Sequence, residues 1–285
     1  MDVYQLVTDR IISELEKGTV PWLRPWCSVR EGAYNRITGR SYSLLNQLML
    51  MHSGEYATFS QWSKLGGKIR KGEKSEHIVF WKWPEEEKTE EKDKDRETAK
   101  LKPILKYYSV YHVSQVEGVK PLETALPQVN AEGTGAADKL LRDYTAAEDI
   151  SLECEYTSRA FYSPATDTIH IPKMDQFRDT DEYYSTAYHE AIHSTGNKKR
   201  LNRIGLQNVR FGSENYSKEE LVAEIGSAFL CHHFGMGTDR SLANSAAYIG
   251  GWLKELNDDR RLIVMAAGQA EKAARYILQY SSEKE

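Results

Sequence analysis

Apolar residues at Val3, Leu6, Val7, Ile11, Ile12 and Leu15 recur every three or four positions, which predicts an amphipathic helix over 2–17, closed by Gly18. Residues 43–53 (SLLNQLMLMHS) and 57–67 (ATFSQWSKLGG) read as two more helices, the latter stopped by Gly66 and Gly67. Residues 68–83 turn into a strand with Ile78, Val79, Phe80 and Trp81 as its apolar run. The alternation of 105–115 predicts a strand that pairs with it. Between the two strands, 85–102 hold eight acids and six bases, the composition of a solvated insertion. A first unit is therefore expected over 1–118, and the prolines, glycines and small polar residues of 119–136 suit a linker. The second unit, 137–285, opens with a helix (ADKLLRDYTAAEDI). In 154–172 a strand, the turn SPATD and the strand TIHI follow. Helices are then predicted at 180–195, 217–234, 241–255 and 257–280, with a loop at 196–216. Helices and strands segregate, so the fold class is α+β: a small N-terminal α+β domain and a mainly helical C-terminal one.

Composition narrows the partners. The 285 residues are 40% hydrophobic and 28% charged, with net charge −4 and a pI near 6.1. Such a chain builds real cores and does not coat nucleic acid wholesale, although a local basic face remains open to it. Cys27, Cys154 and Cys231 are odd in number and lack CxxC spacing, so neither a disulfide framework nor a cysteine zinc site is expected. No apolar run reaches the length of a membrane span and no signal-peptide core is visible, so a cytoplasmic protein without a membrane partner is expected.

The stretch STAYHEAIHSTGN changes the picture. On a helix, His189 and His193 lie one turn apart and can reach one ion. Glu190 projects about 100° away, off the metal but within reach of a water beside it. This is the HExxH arrangement of zinc hydrolases, two ligands and a general base. Alone it is only moderately specific, since an amphipathic helix carrying surface histidines has the same spacing. Downstream, SKEELVAEIGSAFLCHH places Glu220 and Glu224 one turn apart among Ala223, Ser227, Ala228 and Cys231. Two carboxylates on a small-residue face call for a cation between packed helices. Ser217 and Glu220 also match a capping box, which would start the helix at Ser217 and occupy Glu220 with the backbone. The acid–small–acid–small pattern resembles the second helix of gluzincin metallopeptidases. That resemblance implies Glu220 as third ligand and Glu224 as support for a histidine, with the reverse assignment open. Zinc is the expected ion, another divalent metal the alternative. His232 and His233 lack the spacing to join this set.

Five of the six tryptophans fall in residues 1–83, interleaved with basic residues. Trp22, Arg24, Trp26, Arg36, Arg40, Lys68, Arg70, Lys71 and Lys74 are the candidates for a single-stranded nucleic-acid surface, rings for bases and cations for phosphates. Against this, tryptophans more often fill cores, and KIRKGEK also reads as a solvated turn.

Several motifs together resemble one family. VTDRIISELEKGTVPWLRPW, AYNRITGRSYSLLNQLML, ATFSQWSKLGGKIRKGEKSEHIVFWK and YYSVYHVSQVEGV are similar to the N-terminal domain of ArdC-type antirestriction proteins, which mobile elements such as plasmids and phages carry. FYSPATDTIHIP, YHEAIHSTG, RFGSENYSKEELVAEIGSAFL and AAYIGGWLKEL resemble the zincin-like metallopeptidase domain that follows in that family. The resemblance implies single-stranded DNA binding, a metal held by His189, His193 and an acid of EELVAE, Glu190 as base, and protection of incoming DNA from host restriction. A host restriction protein, or another protein, is then the substrate if cleavage occurs. Two other readings stay open: a DNA-binding protein on a catalytically silent zincin scaffold, and a stand-alone cytoplasmic metalloprotease.

Overall fold

The first helix, α1 (Val3–Glu16), starts where the Asp2 side chain accepts a hydrogen bond from Tyr4 N at 3.0 Å. Its apolar stripe turns inward, and Val7, Ile11 and Leu15 are at most 1% exposed. The computed structural model describes residues 2–23, 32–82, 103–122, 133–203, 214–237 and 246–281. The charged insertion at 85–102 lies outside them, as does most of the expected linker.

In the N-terminal half, β1 (Ala33–Asn35), α2 (Leu44–Met49), β2 (Gly54–Ala57), α3 (Phe59–Lys64), β3 (Lys68–Ile69), β4 (Glu76–Lys82), β5 (Ile104–His112) and β6 (Val116–Glu117) follow in order. A four-stranded sheet runs β1-β2-β5-β4. β1 pairs parallel to β2, and β5 is antiparallel to both β2 and β4, with Phe80 opposite Lys106 and Ile78 opposite Tyr108. The two expected strands form. The expected helix at 57–67 is shortened, because Thr58 and Gln61 close a capping box that starts α3 only after the strand β2.

The C-terminal half runs α4 (Gly133–Ala147), β7 (Ser151–Glu155), β8 (Phe161–Ser163), β9 (Thr168–Pro172), α5 (Thr180–Thr195), α6 (Glu214–His233), α7 (Ala246–Asp258) and α8 (Leu262–Leu278). Its sheet is ordered β7-β9-β8, with β7 parallel and β8 antiparallel to β9. Asp167, at φ +54°, turns the β8–β9 hairpin. α8 lays Ala266, Ala267, Ala270, Ala273 and Ala274, all at most 3% exposed, into the core.

The halves share one hydrophobic cluster, which joins Val7, Ile11, Leu15, Leu44 and Leu48 to residues of α5, α6, α7 and α8. Polar bonds also cross: Thr8 Oγ1 donates to Arg260 O at 2.7 Å, and Leu44 N to Glu271 Oε2 at 3.0 Å. No helix among the described residues is long and apolar enough to cross a membrane.

Candidate metal centre

One helical turn separates His189 from His193 on α5, so both rings face the same side, and their Nε2 atoms lie 3.1 Å apart. Across from them α6 presents Glu220, whose Oε2 is 3.4 Å from His189 Nε2 and whose Oε1 is 3.6 Å from His193 Nε2. A glycine permits this approach: a Cβ at Gly226 would lie 2.8 Å from Ile192 Cδ1. Ala223, Ser227, Ala228 and Cys231 complete the small-residue face, none more than 2% exposed. α6 begins at Glu214, so Ser217 lies inside the helix and the capping-box expectation falls. Glu220 is thereby available to the histidines.

The donor set fits a metal ion. A tetrahedral ion with bonds of about 2.1 Å holds its ligands about 3.4 Å apart. The two imidazole nitrogens and one carboxylate oxygen all lie within 4.8 Å of one another. Glu190 follows His189 and is 7% exposed. Glu224 stands at the other edge of His189, its Oε1 3.8 Å from Nδ1, a buried nitrogen without a hydrogen-bond partner. Burial opposes a charge on His189, but the Glu220 hydrogen bond and the charges of Glu224 and Glu190 outweigh it and raise the pKa. So many carboxylates around an enclosed imidazole are the surroundings a divalent cation balances.

Two further residues complete the cluster, and sequence reasoning missed both. Glu219 Oε1 lies 3.2 Å from His193 Nδ1. Arg203 Nε donates to Glu219 Oε2 at 3.0 Å, and its Nη2 donates to Glu219 Oε1 as well. Burial works to raise the Glu219 pKa, but the hydrogen bonds from His193 and Arg203 hold it below the usual value. The only signals were an acid directly before Glu220 and an arginine just past the HExxH helix. Tyr188 packs away from the site, donating to Ala137 O at 2.9 Å. Burial pushes the His232 pKa down to about 4, and His233 is exposed, so neither joins the triangle.

Comparisons with known proteins cover both halves of the chain. The family described as the N-terminal domain of anti-restriction factor ArdC matches residues 1–111, and the zincin-like metallopeptidase family matches 137–269. The Mn(II)-bound crystal structure of the antirestriction ArdC protein from the R388 plasmid aligns over 100% of both chains, with 35% identity and a TM-score of 0.76. The chain belongs to the ArdC family. The metal-free structure of the R388 protein aligns at 34% identity and a TM-score of 0.74, over 99% of this chain and 98% of that one. The uncharacterized protein y4eC of Sinorhizobium fredii (strain NBRC 101917 / NGR234) is 31% identical over 96% of this chain and 90% of its own length. A DNA primase TraC of Escherichia coli is 36% identical over 99% of this chain, which spans only 27% of that protein.

The residues expected to touch DNA in the ArdC-type N-terminal half are scattered. Arg24 and Trp26 lie outside the described residues. Trp22 is 0% exposed and packs edge-on against Trp252 at 6.0 Å, so its ring belongs to the core and offers no face to a base. Arg36 is ion-paired with the buried Glu55, its side chain 15% exposed, whereas Arg40 is exposed. Lys68, Arg70, Lys71 and Lys74 are exposed along β3 and the turn that follows it. Arg70 there is held by Glu73 at 2.9 Å. Lys74 lines an open cleft of about 890 Å³ with Asp9, Arg10, Tyr107 and Arg260. Phe80, Tyr107 and Tyr108 of β4 and β5 are not among the candidates read from the sequence, and Trp81 counts there only with the interleaved tryptophans; all four are 42–47% exposed. Phe80 and Tyr108 share one sheet face with Lys82 and Lys106, their ring centroids 6.0 Å apart.

Proposed function

We propose that the chain is an antirestriction protein with a metal-dependent, peptidase-type hydrolytic centre and a single-stranded DNA-binding face. The observation that carries the first half is the triangle of His189 Nε2, His193 Nε2 and Glu220, whose spacings of 3.1–3.6 Å suit one small divalent ion. Imidazole and carboxylate donors favour zinc, and manganese is the alternative that the Mn(II)-bound relative suggests. When bound, the ion supplies Lewis acidity and draws the pKa of a water toward about 7. His189 and His193 offer lone pairs at Nε2, and Glu220 offers an anionic oxygen. Glu190, enclosed beside them, takes a proton from the attacking water and returns it to the leaving amine. Glu224 steadies His189 from its Nδ1 edge.

The DNA half rests on the β4–β5 face. Exposed rings that cluster on one surface, rather than standing singly, mark a candidate binding site. Phe80 and Tyr108 suit stacking on unpaired bases, with Lys82 and Lys106 beside the phosphates. Arg40, Lys68, Lys71 and Lys74 extend the cationic surface.

One experiment tests the combined reading. An unmodified plasmid encoding the wild-type protein or Glu190→Gln enters a restricting host, and surviving transfer is counted. Protection by the wild type and its loss in Glu190→Gln, with metal content unchanged, is expected. Equal protection by both would leave the zincin half as a scaffold.

A further inference from the structure

We infer that Arg203 and Glu219 form a positioning relay that fixes the tautomer and the aim of His193. The inference rests on the metal reading for its purpose, but its geometry stands on hydrogen bonds alone.

The relay begins where α5 ends. Thr195 is the last helical residue, and Gly196 follows at φ −76°, without the left-handed turn that commonly closes a helix. The chain instead folds back on itself. Leu201 N donates to Thr195 O at 2.9 Å, Arg203 N donates to Gly196 O at 3.0 Å, and Asn202 takes the left-handed conformation at φ +49°. This return aims the Arg203 guanidinium at the helix end, where carbonyls have no helical partner. Nη2 donates to Ile192 O at 2.8 Å, and Nη1 to Thr195 Oγ1. A cation is also favoured there by the helix dipole.

The rest of the fork grips Glu219. Nε and Nη2 donate to its two oxygens, and both side chains are nearly enclosed, at 6% and 4% exposure. A carboxylate that accepts from a guanidinium through both oxygens is an acceptor only. His193 Nδ1, 3.2 Å from Oε1, must therefore be the donor, so it carries the ring proton. In the neutral ring Nε2 then keeps its lone pair, 3.1 Å from His189 Nε2 and 3.6 Å from Glu220. A histidine ligand needs that tautomer, and an outer carboxylate commonly enforces it. Here the carboxylate is itself held by an arginine anchored to the backbone of the HExxH helix. Glu219 and Arg203 spend their hydrogen bonds on His193, on each other and on the end of α5. They act through His193.

The test uses the full chain with ¹⁵N-labelled histidine. Long-range ¹H–¹⁵N spectra of the metal-free wild type are expected to show His193 as the Nδ1–H tautomer. A wild type with the proton on Nε2 would overturn the relay, whatever the variants do. Calorimetric titration with Zn²⁺ and with Mn²⁺ is expected to show about 10–100-fold weaker binding in Glu219→Gln. A smaller loss is expected in Arg203→Lys, which keeps the charge but lacks the fork. In both variants the tautomer signal of His193 should become mixed. Folded variants that bind metal within about twofold of wild type and keep the Nδ1–H signal would reduce Arg203 and Glu219 to a helix clamp. If the wild type binds neither ion, the metal reading fails separately, while the tautomer still decides the relay.

Discussion

At the metal centre the candidate side chains are enclosed, and their neighbours leave them few alternatives, whereas on the β4–β5 face rings and cations stand half exposed with solvent around them. Glu219 is gripped from two directions, and Gly226 lets the two helices touch. Phe80 and Tyr108 meet in one T-shaped contact. An ion demands donors converging within a few tenths of an ångström, which a packed interior supplies. A flexible strand of nucleic acid tolerates dispersed contacts that add up. Damage should therefore be steep and all-or-none at the first region and graded at the second.

The sharpest break is His193→Ala. It removes one corner of the triangle, so metal affinity should fall by more than the about 10–100-fold typical of losing an outer partner. Metal analysis after dialysis checks this, and full retention of the ion would dismantle the proposed centre. Asp167→Asn comes next. Asp167 pairs with Arg200, whose side chain is 0% exposed, and accepts from Tyr162 at 2.7 Å. Breaking a buried pair costs about 3–5 kcal/mol, readable by denaturant unfolding.

Acid probes the same pair. Burial works to raise the Asp167 pKa, but the hydrogen bonds from Arg200, Tyr162 and Lys199 outweigh it and lower the value, and Glu219 is lowered too. A carboxylate with a depressed folded pKa stabilises above its ordinary range, and that stability is lost as pH falls through the folded value. Wild-type stability should therefore decline below about pH 4.5, the ordinary glutamate value, and Asp167→Asn should flatten the lower part of that decline.

Gly226→Ala is expected to cost about 1–3 kcal/mol by forcing α5 and α6 apart, with a lower Tm and weaker metal binding together. A normal Tm with normal metal binding would show that the helices have slack. On the open face, Phe80→Ala and Tyr108→Ala should each weaken single-stranded DNA binding by about 1–3 kcal/mol in a fluorescence titration and leave metal content alone. Smallest of all, Lys68→Ala or Lys71→Ala should reduce the salt dependence of binding by about 0.7 in the log–log slope.

What could be read from the chain follows the range of each interaction. His189, Glu190 and His193 were visible because a helical turn is local. Glu220 needed knowledge of packing, and the gluzincin resemblance supplied it. Glu219 and Arg203 were hidden because their partnership spans 16 positions and depends on a turn with no periodic signature. Ser217 misled because its capping-box spacing also occurs inside a helix, here one that starts at Glu214. The short strands β1, β2, β3 and β6, two to four residues each, carry too few positions for alternation to register. The basic neighbours of Trp22 make it a candidate for stacking on bases, but the competing expectation, that tryptophans fill cores, holds there: it packs against Trp252 of α7. The exposed pairs of β4 and β5 were legible as strands, but which of their faces lies open depends on what packs behind them.

The cluster that runs from Val7 and Ile11 to α8 carries a consequence for how such a protein can be dissected or inherited. Severed, each half would present to water a mating surface that the other now covers, Val7, Ile11, Leu15, Leu44 and Leu48 on one side and their partners on α5 to α8 on the other. Gene shuffling that moved one half alone would have to cover that surface anew.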